Sequence, residues 1–397
     1  MYPILLSKLA ARRLMLEKQG ISPHTGLADK EAIFWTVDRL GCLQIDTINV
    51  IERAQYLTLW TRLGWYKRKH LDELAYRDRL LFEHWAHAAC YIPLKDYRFY
   101  LRSMEERRKD LEYRLRRRTG KGTELVDMVL ERIKDEGPLG SIDFEGPKRK
   151  GGWWNWKPAK VALEYLLGAG ILLIHHRDNF QRYYDLAENF LPPWVNTEPP
   201  SDSERVRFFI LRTLDALGTV KASDIREYYH HWSIKLGQTT KQLEETLLEL
   251  VADGTVERKK VEDEKAGYYL LGSDSVEADF LADDWGFDDV RLFNYFDNLM
   301  WNRGRIETLF GFQPKLEVYL PVDQRVYGYY HMPVLYGDKF VARVEPKLER
   351  VESKLKVRGY WLEKGFKSTE EYVDKLEETL QSLAQFTGAD AVEWTTS

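Results

Sequence analysis

Gly254-Thr255-Val256-Glu257-Arg258-Lys259-Lys260-Val261-Glu262-Asp263-Glu264-Lys265-Ala266-Gly267-Tyr268-Tyr269-Leu270-Leu271 reads as a helix stop followed by a β-hairpin. Gly254 ends the helical pattern before it, because glycine enters the left-handed backbone region that closes a helix at little steric cost. The charged run Asp263-Glu264-Lys265-Ala266-Gly267 is the hairpin tip. Ahead of Gly254, Ser203 to Leu217 reads as a helix, Ala222 to Tyr229 as a short one and Thr239 to Asp253 as a third. Helix, short helix, long helix, hairpin is the order of a winged helix.

The same order stands once before. Thr123 to Glu136 has helical spacing, and Gly140 to Phe144 is extended or a single turn. Lys157 to Ala169 follows as a helix with Val161, Leu163, Leu166 and Leu167 as its apolar residues. Gly170 stops it, and Ile171 to Leu186 forms a hairpin that turns at Arg177 to Asn179. Pro192-Pro193 and Pro199-Pro200 separate the two copies. The expected divisions are an N-terminal helical, winged-helix-like module at 1–122, winged helices at 123–198 and 199–284, and a distinct unit at 285–397.

In the first module, Leu5 to Lys18 is amphipathic with Arg12 and Arg13 on the exposed side. Lys30 to Leu40 is a helix stopped by Gly41, and Ile51 to Leu63 is a helix with Ala54, Leu57, Trp60 and Leu63 on one face. In the last unit, strand-like Leu316 to Leu320 and Arg325 to Leu335, a turn at Tyr336-Gly337-Asp338 and Lys339 to Val344 read as an antiparallel meander. A helix from Thr369 to Gln385, facing inward with Val373, Leu376, Leu380 and Leu383, closes the chain. The expected class is therefore α+β and mainly helical: tandem winged helices, then a C-terminal β meander and helix.

Apolar residues at 44% and charged residues at 31% describe a globular chain, and no run approaches the ~18 apolar residues of a membrane span. The start, Met1-Tyr2-Pro3-Ile4-Leu5-Leu6-Ser7, lacks the pattern of a signal peptide. Cys42 and Cys90 are too few for a disulfide framework, which points to reduced thiols and the cytoplasm. A net charge of −4 argues against uniform affinity for nucleic acid but leaves room for a local basic surface.

Two stretches supply such a surface. Arg116-Arg117-Arg118-Thr119-Gly120-Lys121 ends a basic region with few balancing acids. Lys148-Arg149-Lys150-Gly151-Gly152-Trp153-Trp154-Asn155-Trp156-Lys157 joins four cations to three tryptophans. We expect DNA contacts from Arg116, Arg117, Arg118, Lys121, Lys148, Arg149, Lys150, Trp153, Trp154 and Lys157. The acidic Thr239–Asp253 segment, with Glu244, Glu245, Glu249 and Asp253, is a poor major-groove reader and is expected to be structural.

Chemistry points elsewhere, to Gly41-Cys42-Leu43-Gln44-Ile45-Asp46-Thr47-Ile48-Asn49-Val50. In a strand, Leu43, Ile45 and Thr47 would face one way and Cys42, Gln44 and Asp46 the other. An amide beside a carboxylate can orient a water, deprotonate it and stabilise a developing cation. His84 and His87 could share a helix face, but no third ligand at metal spacing accompanies them, so no metal site is expected. No Walker loop, nucleophile elbow or dinucleotide fingerprint is present.

Gln44-Ile45-Asp46-Thr47-Ile48-Asn49-Val50-Ile51-Glu52-Arg53-Ala54-Gln55-Tyr56-Leu57 closely resembles a signature of the bacterial winged-helix DNA glycosylases that unhook interstrand crosslinks. Within that family it resembles the Gln-x-Asp, YcaQ-like branch. The blocks Glu83 to Pro93 and Phe296 to Gly359 resemble further family segments, although Ala88, Tyr295 and Asn302 stand where the family more often has Glu, Pro and Asp. The resemblance implies a C-shaped array of winged helices. It further implies a monomeric, monofunctional glycosylase that acts on N7-alkylpurines in double-stranded DNA without metal, cofactor or Schiff-base lysine. Gln44 and Asp46 would be catalytic, with His87, Asn49 and Arg53 near the active site. Two other readings stay open: a non-catalytic winged-helix DNA-binding regulator, and a scaffold whose winged helices bind protein.

Overall fold

The structure is a computed structural model that describes residues 5–21, 28–120, 122–144, 158–283 and 285–395. Its contacts divide the chain into two units, one of Met1–Arg68, Arg207–Tyr229 and Gln238–Ser397, the other of Lys69–Val206 and His230–Gly237.

The first unit holds the helices that frame the Gln44 segment. Lys8–Lys18 starts at Ser7, whose hydroxyl accepts from the Ala10 amide at 3.0 Å. Its Arg12 and Arg13 are not free on the surface, as the amphipathic pattern suggested. Both donate to the Asp338 carboxylate, at 3.0 and 2.7 Å, and stay largely covered. Lys30–Leu40 begins with an Asp29 cap and ends at Gly41 in the left-handed region (φ 74°), as read from the sequence. A Cβ at Gly41 would also lie 2.2 Å from the Tyr229 hydroxyl, so glycine is required there twice over. Ala54–Leu63 buries Ala54, Leu57 and Trp60 as expected, but Leu63 is only half-buried, while Gln55, Thr58, Thr61 and Arg62 are buried.

Ala222–Tyr228, Thr240–Ala252 and the hairpin Val256–Val261/Gly267–Leu271 follow the expected order after the Asp202–Leu217 helix. Leu5–Leu6 adds a third, parallel strand, with Leu5 opposite Lys260. Thr239 caps its helix by accepting from the Gln242 amide, and the Gln242 side chain returns the contact to the Thr239 amide. The outward side of this helix carries exposed Glu245 and Glu249.

The C-terminal sheet is larger than the meander read from the sequence. Its strands run Val290–Leu292, Met332–Tyr336, Lys339–Glu349, Lys354–Leu362 and Ala391–Trp394 in that order across the sheet, with the last pair parallel. Leu316 to Leu320 is not a strand, and the strand expected from Arg325 begins only at Met332. The reason is the buried Glu317 carboxylate, which accepts from the amides of Val326 and Tyr327 at 2.9 and 2.8 Å and folds the segment into a compact loop. Helix Glu370–Thr387 buries Tyr372, Leu376, Leu380 and Leu383, whereas Val373 is 39% exposed rather than inward-facing.

One buried polar bracket has no sequence signal. Arg62, on Ala54–Leu63, spends its guanidinium on both Asp297 carboxylate oxygens, at 2.6 and 2.9 Å, and on Thr58 and Gln19. Asn298 donates to the Cys42 carbonyl at 2.8 Å, and Arg305 donates to Asp224 at 3.0 Å. Asn302, where the resembled family more often has Asp, caps the Arg303–Phe310 helix through its side-chain oxygen and donates to Asp224. The amide thus does the work of a capping carboxylate.

In the second unit, Thr123–Glu136, Leu139–Gly140, Pro158–Gly168 and the hairpin Leu172–Asp178/Gln181–Leu186 follow the expected order. The turn sits at Asn179-Phe180, both at positive φ, with Arg177 stacked on the Phe180 ring at 4.3 Å. His84 and His87 do not share a helix face: the segment is a second hairpin, Leu81–Trp85/Ala89–Pro93, with His84 opposite Cys90. Glu83 fixes it from below: buried, it receives two bonds from Arg177, at 2.7 and 2.6 Å, and one from the Tyr76 hydroxyl. Cys42 and Cys90 are both buried free thiols.

Candidate active site

The strand around Gln44 is shorter than alternation suggested. Only Leu43–Gln44 is β-strand; Leu43 and Ile45 are buried, Gln44 and Asp46 half-buried. Cys42 does not share their open face, since it is fully buried, and Thr47 turns outward because the strand has ended. Gln44 and Asp46 therefore keep their common accessibility on an irregular backbone.

That backbone is held at three points. The Asp46 amide donates to the Oε1 of buried Gln55 at 3.3 Å, which anchors the segment to the Ala54–Leu63 helix. The Asp46 carboxylate accepts from the Ile48 amide at 2.8 Å, closing a local turn. Beyond it, Arg350 donates to the Asn49 side chain at 2.7 Å and to the Asn49 and Ile51 carbonyls, while the Leu348 amide reaches the Val50 carbonyl. Asn49 is thus a fastening point, and Gln55 a support that the sequence did not single out. Arg53 begins the Ala54–Leu63 helix, with its amide bonded to Glu52, which in turn pairs with Arg68.

Burial raises the Asp46 carboxyl above its ordinary range, partly offset by the Ile48 and Thr47 amides. A carboxylate left partly dry is a stronger electrostatic partner for a cation than one in bulk water. The sign of the pH effect follows. Because the folded-state value is raised, Asp46 takes up its proton at higher pH than a free aspartate. Activity that needs the anion should therefore fall as pH drops through this raised value, above the free-aspartate range. An activity that requires the Asp46 anion is expected to have its acid limb above 3.8, the ordinary value. Rates flat down to pH 4 would rule out a required Asp46 anion.

His87 belongs to the second unit, on the turn of its hairpin, with its ring edge-on to His230 at 6.1 Å. His84 is buried, and burial, with the nearby Arg107 charge, pushes its imidazole down to about 3, so it stays neutral near pH 7. Among the described residues, no group of three or more His, Cys, Asp or Glu side chains is placed to hold a metal ion.

Of the expected DNA contacts, Lys121, Lys148, Arg149, Lys150, Trp153, Trp154 and Lys157 lie outside the described residues. Arg116 is paired with Glu112 at 3.1 Å, while exposed Arg117 and Arg118 have no ion pair among the described residues. Arg118 shares a cavity of about 710 Å3 with Arg107, Arg114, Trp85 and Tyr165, all in the second unit. Arg107 is half-buried there on the carbonyls of Ser103 and Ser233, and burial lowers its guanidinium to about 10. Glu164 lines the same cavity and Arg114 is paired with Asp110 at 3.3 Å, so the cavity's charge is mixed.

A family model described as DNA glycosylase AlkZ-like matches residues 37–386. Among solved structures, the chain is similar to the DNA glycosylase AlkZ of Streptomyces sahachiroi, with a TM-score of 0.64 and 18% identity, over 98% of this chain and 99% of that one. At that identity the likeness concerns the fold.

Proposed function

The chain belongs to the AlkZ-like DNA glycosylase family, and we propose that it hydrolyses the N-glycosidic bond of cationic N7-alkylpurines, unhooking interstrand crosslinks in double-stranded DNA. The observation that carries the reading is the half-buried Asp46 carboxylate beside Gln44, on a segment fastened by Gln55 and Arg350. Family membership makes the protein a DNA glycosylase and sets aside the non-catalytic readings. No helix among the described residues is long and apolar enough to cross a membrane. The two helix–hairpin blocks act in this proposal as winged helices of a cytoplasmic monomer.

Alkylation at N7 gives the purine a positive charge, so its N9 leaves readily and needs no strong general acid. What remains for the protein is to position water and to stabilise the sugar as it gains oxocarbenium character. Gln44 orients the water; Asp46 accepts its proton and stabilises the cationic sugar. A crosslinked base is tied to the opposite strand and cannot swing into a deep pocket, which favours a site open to bulky adducts.

Lesion chemistry tests this. N7-methylguanine and N7-linked crosslinks should be released, and uracil and 1,N6-ethenoadenine retained, when each duplex is incubated with excess protein and then cleaved with alkali. Efficient removal of a neutral base would require a general acid and contradict the scheme.

Binding is expected to rest on the basic stretches. Neutralising Lys148, Arg149 and Lys150 together should weaken binding alike for all sequences and flatten the log–log salt dependence by up to about three units. Titrations at several salt concentrations give the slopes; an unchanged slope would take this loop off the DNA.

A further inference from the structure

The loop between the Arg303–Phe310 helix and the Met332–Tyr336 strand carries an apolar surface that folding leaves in water. Tyr319 is 73% exposed and Val322 78%, with Leu320 and Val326 also open to solvent. These side chains stand on a braced support. The buried Glu317 carboxylate binds the amides of Val326 and Tyr327, and a single helical turn spans Val322–Gln324. Arg325 donates to the Leu320 carbonyl at 2.9 Å while covering the Tyr329 ring. Apolar groups clustered in solvent on so well-held a loop mark a contact surface.

The loop stands beside the candidate catalytic segment. Tyr329 lines a cavity of about 440 Å3 together with Asn49 and Val50, three and four residues on from Asp46. The Lys339–Glu349 strand ties both in place: Glu345 receives the Tyr329 amide at 2.7 Å, and three residues later the Leu348 amide reaches the Val50 carbonyl. Tyr319, further back in the loop, has the same neighbour, because burial and then the Asp46 charge raise its phenol. From Tyr319 to Val326 the charges of Asp323 and Arg325 cancel, so the loop has no net charge with which to grip phosphate. Its chemistry suits bases and deoxyriboses.

We propose that Tyr319, Leu320, Val322 and Val326 form a wedge that enters the minor groove beside the lesion and opens the base-pair step there. This rests on the reading of Gln44 and Asp46 as the catalytic pair acting on N7-alkylpurines. Purine N7 opens onto the major groove, so an interstrand bridge fills that groove. The glycosidic bond to C1′ borders the minor groove, which is the side left open to Asp46. The loop next to Asp46 then lies along the same groove. Apolar side chains pressed between base steps part them and kink the duplex. A kink gives a tethered nucleotide the access to C1′ that a free base gains by flipping.

The test combines Tyr319→Ser with Val322→Ser and compares this double variant with Tyr319→Phe, which keeps the aromatic ring. The probe is a duplex carrying 2′-fluoroarabino-N7-methylguanine, whose fluorine blocks base release, with 2-aminopurine as the neighbouring base. The unaltered protein and Tyr319→Phe should brighten the 2-aminopurine on binding, as its stacking is lost. The double serine variant should bind about tenfold more weakly, the scale of a lost aromatic contact with a base, and leave the probe dark. Its salt slope should match the parent's, because no phosphate contact has gone. Its Tm should hold, since exposed side chains add little to folding. A dark probe with the unaltered protein, or equal binding and brightening by the serine variant, would put the loop off the bases. A flatter salt slope would make it a phosphate contact, and a lower Tm would assign these side chains to folding; each result overturns the wedge. An unaltered protein that releases no N7-methylguanine from a reactive duplex defeats the reading of Asp46; one that releases it while the serine variant performs like the parent defeats the wedge alone.

Discussion

Asp46→Asn should slow single-turnover base release by about a hundredfold or more, the scale on which a positioned charge contributes to a transition state. Asparagine keeps the shape and can still accept from the Ile48 amide, so the local turn survives. Duplex affinity should change little, since a carboxylate does not attract phosphates. Stability should not fall either. The raised Asp46 carboxyl means that the folded state disfavours the anion relative to the unfolded chain, so the ionised group is a cost to folding near neutral pH. Excision rate, binding isotherm and melting curve on the same preparation decide the matter. Near-normal excision by the Asn variant would remove Asp46 from the mechanism.

The second large effect concerns folding. Asp297→Ala should destabilise the protein by about 3–5 kcal/mol, because it strands the Arg62 guanidinium in the interior. Both side chains are almost wholly buried, at 1% and 0% exposure, and the pair ties the helix carrying Gln55 to the Asn294–Arg305 region. Arg62→Leu combined with Asp297→Leu should cost less than Asp297→Ala alone, since it leaves no unpaired charge. Denaturant unfolding of both variants measures this. A loss under about 1 kcal/mol for Asp297→Ala would mean that water reaches Arg62 and that the bracket does not hold the helix.

The elements legible in the sequence were those with local punctuation. Gly41 and Gly254 stop helices, Thr239 and Gln242 cap one, and Asn179 turns a hairpin. Where a distant partner decides, local pattern misled. The three-residue spacing of His84 and His87 could place them on a helix face, but Glu83 is fixed by Arg177 and Tyr76, and the segment pairs as strands. The apolar run from Leu316 looks extended until Glu317 binds the amides of Val326 and Tyr327. The candidate site divides the same way. Gln44 and Asp46 stand two residues apart in the chain, both half-buried, and could be read directly, whereas Gln55 and Arg350 reach this segment only through folding.

The most direct measurement is single-turnover release of base from a duplex carrying one defined N7-alkylguanine interstrand crosslink. With excess protein, the crosslinked species should convert to separable strands, leave an alkali-labile abasic site, and do neither with Asp46→Asn. A protein that binds this duplex tightly yet leaves the crosslink intact, or unhooks it equally well without the Asp46 carboxylate, would contradict the account.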